Sequence, residues 1–282
     1  MTSSLPWVLW LLWFFCGTML GSFLNVCIYR LPREQSVVYP GSRCPHCERL
    51  ISWYDNVPLL SFLALRGACR RCRKPIAWRY PLVELLTGAM TVAVVARFGP
   101  GPVGLIFLAL VCALIVSSFI DLEFQIIPDE ISLGGLACGV VLSGLVPSLH
   151  GASSLWVSLG RSLIGLLVGG GLLYGTGIVG ELLFHKESMG GGDVKLLAMA
   201  GSVLGWKLVT LTFFLAPFLA LLPGLWVLLR KQSHVIPYGP FLSLSLLVSM
   251  FFGPQLLQWS GVEETIRLLW MIYGPHTTPM SR

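Results

Sequence analysis

The sequence predicts an all-α polytopic membrane protein, with about eight transmembrane helices and a small cysteine-bearing loop domain between the first two. Three observations predict it. Mean hydropathy is +0.79, and 55% of residues are hydrophobic against 11% charged. Apolar runs of bilayer-spanning length recur from end to end. The charge is bunched: between Arg30 and Arg79 ten basic residues face three acidic ones, +7 in a chain whose net is +6, so the remainder nets −1. A length of 282 residues would otherwise point to one or two soluble domains. Composition overrides that prior.

Eight runs read as spans: about 7–29, 82–98, 102–120, 131–147, 157–184, 194–206, 208–229 and 238–258. Each has to cross ~30 Å of hydrocarbon, which takes ~20 helical residues. The first run lacks a positive n-region and outlasts an h-region, so it reads as a retained helix rather than a secretory signal. The loop that follows, 30–80, is too basic to leave the cytoplasmic side under the positive-inside rule. Nucleic-acid binding is the other reading of a basic patch, and it is set aside because topology already accounts for the charge. The fifth run is long and glycine-rich (GLLVGGGLLYGTGIVG), which suits close helix packing. The sixth is short and weakened by Gly201 and Gly205, so it is tilted, or re-entrant and buried in protein.

With 30–80 inside, the amino terminus lies outside. Counting spans then places 121–130, 185–193 and 230–237 inside as well, the last carrying Arg230 and Lys231. The tail after Ser260 contains an amphipathic stretch, EETIRLLWMIY, expected on the outer surface. The resulting division is 1–29 (first span), 30–80 (cysteine-bearing loop domain), 81–260 (transmembrane core) and 261–282 (tail). No internal repeat or low-complexity segment is evident.

Within the loop, Cys44-Pro-His-Cys47 is followed after 21 residues by Cys69-Arg-Arg-Cys72. Two CxxC pairs at this spacing approach a zinc-ribbon pattern. Four thiolates would close a tetrahedral site with no open position, the mark of a structural metal. The alternatives are two disulfides or four unconnected thiols, and a reducing cytoplasmic loop disfavours the disulfides. A loop poor in aliphatics builds little core, so zinc would supply folding energy. His46, between two ligands, could replace one only with poor geometry. Cys16, Cys27, Cys112 and Cys138 lie in spans and read as small buried hydrophobes.

An ionisable residue at the edge of such spans is a functional hypothesis by default. Asp193 lies in MGGGDVK, and its best candidate partner is Asp121 in FIDLEFQIIPDEI. Asp121 follows a span and faces the negative pole of a helix dipole, an unfavourable place for an anion. The duller reading makes it a solvated interfacial acid. Asp129 is placed to cap the next helix, and Glu123 would point elsewhere on a helix. For Asp193 the duller reading is an N-cap, with the glycines ending the previous helix. Yet one glycine suffices for that. Gly190, Gly191 and Gly192 together strip every side chain from beside the carboxylate, so that another backbone can approach. Two carboxyls a few ångströms apart cannot both ionise and share one proton. The ionised member draws a proton from water, which attacks a carbonyl, and the protonated one donates to the carbonyl oxygen and then to the leaving amine. HExxH, GxSxG and P-loop motifs are absent.

These residues carry a resemblance. GSFLNVCIYRLP (21–32), the CPHC and CRRC pairs, RYPLVELLTG (79–88), IDLEFQIIPDEI (120–131), GGGDVKLLA (190–198) and PYGPFL (237–242) together resemble the bacterial prepilin peptidases, or type IV leader peptidases, aspartyl proteases of the GxGD kind. The resemblance implies removal of the leader of prepilins and of type II secretion pseudopilins, cut after a glycine on the cytoplasmic face of the inner membrane. It places the catalytic pair on Asp121 and Asp193. It also implies methylation of the new amino terminus with S-adenosylmethionine, by an enzyme of the long form that carries the cysteine loop. Glu84 is a candidate for that second site, against a plain reading as an interfacial acid paired with Arg79 or another base. The methyl-donor pocket is expected between the loop and the first two spans. Expected partners are the pilin substrates and lipid, without nucleic acid. Two other functions compete: a proton-coupled carrier with Asp121 and Asp193 as relay, and a non-catalytic scaffold docking through the zinc loop.

Overall fold

The computed structural model describes residues 6–185, 189–229, 237–259 and 261, with side chains described for those outside 222–229. Arg230, Lys231, the middle of the 185–193 loop and the amphipathic tail stretch lie outside the described residues. Outside the irregular loop between the first two spans, the described chain is mainly helical: α1 (Trp7–Arg30), α2 (Leu60–Ala64, within that loop), α3 (Arg79–Phe98), α4 (Pro102–Phe124), α5 (Asp129–Leu145), α6 (Leu155–Phe184), α7 (Gly191–Leu204), α8 (Trp206–Leu229) and α9 (Gly239–Trp259). All but the short α2 fall on the eight apolar runs. By length and composition α1, α3, α4, α6 and α9 can each cross a membrane. At ~1.5 Å per residue the 14 residues of α7 reach only ~21 Å.

Left-handed residues punctuate the helices. Gly99 (φ 77°) and Gly205 (φ 79°) end α3 and α7, and Gln125 (φ 55°) and His185 (φ 54°) end α4 and α6. Between helices, small residues replace the hydrophobic effect, which does not operate between two apolar surfaces in lipid. A Cβ on Gly17 would lie 2.8 Å from the Gly88 Cα, which draws α1 onto α3. A Cβ on either Gly165 or Gly201 would lie 2.1 Å from the carbonyl oxygen of the other, so α6 and α7 touch backbone to backbone. This is the role the glycine-rich fifth run implied. The short α7 is enclosed, with every residue from Leu196 to Leu204 buried. Among the long spans α4 is the most enclosed, with 61% of its apolar window buried against 17% for α6.

The cysteines of the spans depart from expectation. Cys16 and Cys138 are exposed, and Cys27 and Cys112 are only partly covered. A thiol on an outward face meets lipid tails, so an apolar residue there needs no burial in protein.

Candidate active site

Three helix ends converge around two aspartates. Asp121 lies in the last turn of α4 and is 7% exposed, so it is no solvated interfacial acid. The amino end of α9 covers it: the Gly239 N–H donates to Asp121 Oδ2 at 2.9 Å. A Cβ on residue 239 would lie 2.8 Å from that oxygen. Only glycine lets the α9 backbone reach the carboxylate.

Asp193 lies in the first turn of α7, where an anion faces the positive pole of the helix. It is not the N-cap. Gly190 holds that position with extended backbone (φ −68°, ψ 131°), and Gly191 and Gly192 begin the helix. The glycines therefore open α7 instead of ending α6, which stops earlier at His185. Their space is used unevenly. A Cβ on Gly192 would lie 3.0 Å from the Ile127 Cβ, so the α4–α5 connection fills that side. Gly191 meets nothing within 4 Å and leaves the approach open. Asp193 stands within electrostatic reach of Asp121, and Tyr238 within reach of Asp193. The two acids that are 72 positions apart in sequence are thus brought together.

Ion pairs flank them. Arg79 at the start of α3 bonds Glu123 at the end of α4. Lys195 bonds Asp129 at 2.6 Å, joining α7 to α5. Asp129 is the first residue of α5 after Pro128 and makes no capping bond; its carboxylate goes to Lys195 instead. Glu84 does not pair with Arg79, because five residues along a helix turn the two side chains apart. Glu84 is buried, its backbone packs on Gly21 of α1, where a Cβ would lie 2.7 Å from the Glu84 Cα, and its carboxylate accepts the Leu59 N–H at 2.8 Å. It ties the loop, at a residue in the left-handed region (Leu59, φ 59°), to the α1–α3 pair.

The four loop cysteines converge as predicted, with all their Sγ atoms within 4.8 Å of one another. The two CxxC segments fold into matching knuckles. In the first, the Cys44 N–H donates to Arg49 O and the Glu48 N–H to Cys44 O; in the second, Cys69 donates to Lys74 O and Arg73 to Cys69 O. Glu48 and Arg73, both left-handed, occupy the same place in each, and bridges Arg43–Leu50 and Ala68–Pro75 close them. This is a short structural repeat that the sequence hid, because the knuckles share little beyond the cysteines. Cys44 and Cys72 Sγ are 3.8 Å apart, near the ~3.8 Å edge of a tetrahedron with 2.3 Å zinc–sulfur bonds and far from the ~2.05 Å of a disulfide. The Cys72 and Arg71 N–H groups aim at the Cys69 sulfur and lower that thiol. At Cys72 the Lys74 N–H is outweighed by burial and the crowded neighbouring thiols, which push that thiol up to about 11. The group as a whole is thus poised around a shared proton that a metal ion would displace.

Sequence reasoning missed Gly239 and the Arg79–Glu123 pair as parts of this site. The available signal for Gly239 was its position in PYGPFL, where a glycine opens the last apolar run.

Comparisons with known proteins bear on the same segments. Residues 15–98 match the Bacterial Peptidase A24 N-terminal domain and residues 108–225 the Type IV leader peptidase family. The chain is 37% identical to a prepilin leader peptidase/N-methyltransferase of Aeromonas hydrophila, over 92% of this chain and 96% of that one. It is 36% identical to one from Stutzerimonas stutzeri (85% and 89%) and 33% identical to one from Pseudomonas putida (85% and 89%). No solved structure matches the chain at a significant level.

Proposed function

The chain belongs to the type IV leader peptidase family, and from that premise we propose that Asp121 and Asp193 are its catalytic dyad. Its activity is that of a bifunctional aspartic endopeptidase and N-methyltransferase of the inner membrane. A carrier function finds no support beside this membership. The observation that supports the dyad is the meeting of the α4 carboxyl end with the α7 and α9 amino ends, which leaves two carboxylates in each other's field.

In this reading one proton is shared between the carboxyls. The ionised one takes a proton from water as the water attacks the carbonyl of the scissile bond. The protonated one donates to the carbonyl oxygen, and the proton then passes to the departing amine. The Gly239 N–H holds Asp121 in register. Gly191 leaves an open path for an extended leader, Gly190 faces the Asp193 carboxylate itself, where a Cβ would lie 3.3 Å from Oδ2, and Gly192 admits the protein's own α4–α5 connection. Residues 81–260 form the peptidase core and 30–80 a separate loop module. The dyad faces the cytoplasm with both chain ends outside, and the substrates include pseudopilins.

Cys44, Cys47, Cys69 and Cys72 would hold zinc as a closed structural site, supplying cross-links to a loop with little core. Glu84 contributes to the methyl-transfer region by fixing the loop to α1 and α3.

Prepilin cleavage by purified Asp121→Asn and Asp193→Asn tests the dyad. Each variant should lose activity by orders of magnitude while keeping its helical fold, since neither carboxylate can replace the other. Near wild-type cleavage by either would remove that residue from the mechanism.

A further inference from the structure

Three buried serine hydroxyls lack a partner among the described residues. Ser117 of α4 and Ser243 and Ser249 of α9 are 0%, 3% and 0% exposed, and none of their Oγ atoms makes a hydrogen bond. Other hydroxyls in the spans turn back to their own helix. Thr87 donates to Val83 O and Ser118 to Leu114 O at 2.7 Å, Ser245 to Phe241 O at 2.8 Å and Thr212 to Leu208 O at 2.9 Å. That bond is open to any serine inside a helix. Ser117 and Ser243 leave it unmade, and a buried hydroxyl with no partner at all is destabilising.

These two lie one turn from the aspartates. Asp121 and Gly239 meet where α4 ends and α9 begins, so both helices run away from that point in the same direction, packed together. Ser117 precedes Asp121 by four residues and Ser243 follows Gly239 by four. Residues four apart share a helix face. At ~1.5 Å per residue each hydroxyl lies ~6 Å deeper in the bundle than its neighbour at the site. Ser249, ten residues from Gly239, is ~15 Å along α9.

We propose that Ser117 and Ser243 are positioning residues for the peptidase, holding one ordered water beneath the Asp121 carboxylate. The proposal rests on the dyad reading above. An internal water needs two to four polar partners, and the two hydroxyls with Asp121 Oδ2 supply three. Oδ2 accepts the Gly239 N–H, and a carboxylate oxygen has room for a second donor. Neither serine reaches it directly, so the gap takes a bridge. One water hydrogen goes to Oδ2 and the other to one serine oxygen, while the second serine donates its hydrogen to the water. Ile120, Leu242 and Leu246 are fully buried beside these positions, which keeps bulk water out. Held by an amide from one side and a water from below, Oδ2 fixes the plane of the carboxyl. Oδ1, to which no described residue donates, is then left for Asp193 and the reacting water.

The test is steady-state prepilin cleavage by the full-length, detergent-purified enzyme. kcat and KM are read separately, and the thermal midpoint is measured on the same samples. Ser117→Ala and Ser243→Ala should each lower kcat roughly tenfold with KM nearly unchanged, the effect of losing a hydrogen bond to a charged group. The double variant should be no slower than either single one, because both hydroxyls hold the same water. Ser249→Ala removes an equally unpartnered hydroxyl far from the dyad and should keep the wild-type kcat. If Ser117→Ala and Ser243→Ala both cleave at the wild-type rate, no water is held there for Asp121; the proposal fails and the dyad reading survives. If kcat falls only together with the thermal midpoint, or the two losses multiply in the double variant, the serines act through packing and the proposal fails as well. If Asp121→Asn itself cleaves near the wild-type rate, the dyad reading falls and the proposal with it.

Discussion

Replacing Gly239 with alanine isolates positioning from chemistry. A Cβ there would lie 2.8 Å from Asp121 Oδ2, 3.1 Å from its Cγ and 3.3 Å from its Cβ. Ordinary contact begins near 3.4 Å, so the carboxylate has to retreat by ~0.6 Å, stretching the 2.9 Å bond from the Gly239 N–H. A misplacement of ~1 Å at a reacting group costs ~100-fold. The smaller shift corresponds to ~10–50-fold, or ~1.4–2.3 kcal/mol of barrier. Folding should not suffer, because residue 239 opens α9 and its φ lies outside the left-handed region. The assay is steady-state cleavage of a prepilin, reading kcat and KM separately. The expected result is a fall in kcat with KM nearly unchanged. Gly134→Ala is the control: it is an exposed α5 glycine with nothing within 4 Å, and it should cleave at the wild-type rate. A Gly239→Ala enzyme within twofold of wild type would refute the claim that α9 sets the orientation of Asp121.

Further outcomes follow from other contacts. Gly201→Ala forces a methyl to within 2.1 Å of the Gly165 carbonyl oxygen; overpacking of this kind should destabilise by ~1–3 kcal/mol or more and lower the thermal midpoint in detergent. Serine at Cys44, Cys47, Cys69 or Cys72 should release zinc, measured by elemental analysis, and abolish methylation of mature pilin before it affects cleavage. His150 is held below its ordinary value by burial and by the nearby Arg161 charge. Its neutral form therefore stabilises the fold above about pH 6.5, and that contribution is lost as the pH falls towards the depressed value. The thermal midpoint should drop on acidification in the wild type, and His150→Gln should flatten that dependence.

Much of the site was legible because its chemistry is carried by rare residues in an apolar chain. Two aspartates, three adjacent glycines and two CxxC pairs stand out where charge is scarce and the other four cysteines lie singly in the spans. The spans were legible for the same reason, since apolar runs need no partner to be recognised. What escaped was relational. Gly239 matters only because another helix ends opposite it. Nothing in DVKLLA says that Lys195 will hold Asp129 and so deny α5 its expected cap. The register of the glycines was also hidden: whether they end α6 or open α7 depends on where α6 stops, and that is set by the left-handed His185. The second knuckle repeats the first in hydrogen bonds but not in side chains, so no comparison of letters finds it.

The length of α7 connects these details. A helix of ~21 Å inside a ~30 Å layer cannot present both ends at the membrane surface. Its far end is fastened by an unusual polar cluster. The Ser202 carbonyl, one of those a helix end leaves unpaired, accepts Ser162 Oγ at 2.8 Å and Ser143 Oγ at 3.2 Å, with His150 Nε2 at 3.2 Å. Ser158 Oγ in turn donates to the Ser143 carbonyl at 2.6 Å. A Cβ on Gly169 of α6 would lie 2.5 Å from the Leu197 carbonyl oxygen, so the middle of α7 is locked against α6 as well. With one end tied and the centre locked, the first turn of α7 has no freedom to rise, and Asp193 is held at a fixed depth beside Asp121. A full-length helix would carry the carboxylate out past the last turn of α4. A shorter one without the serine cluster would slide along its glycine face. The cluster that fixes the proposed dyad therefore lies at the opposite end of α7 from Asp193, and substitutions at Ser162 or Ser143 should lower kcat without touching a residue beside either aspartate. If Ser162→Ala left both kcat and thermal stability at wild-type values, the depth of Asp193 would have to be set by α6 packing alone.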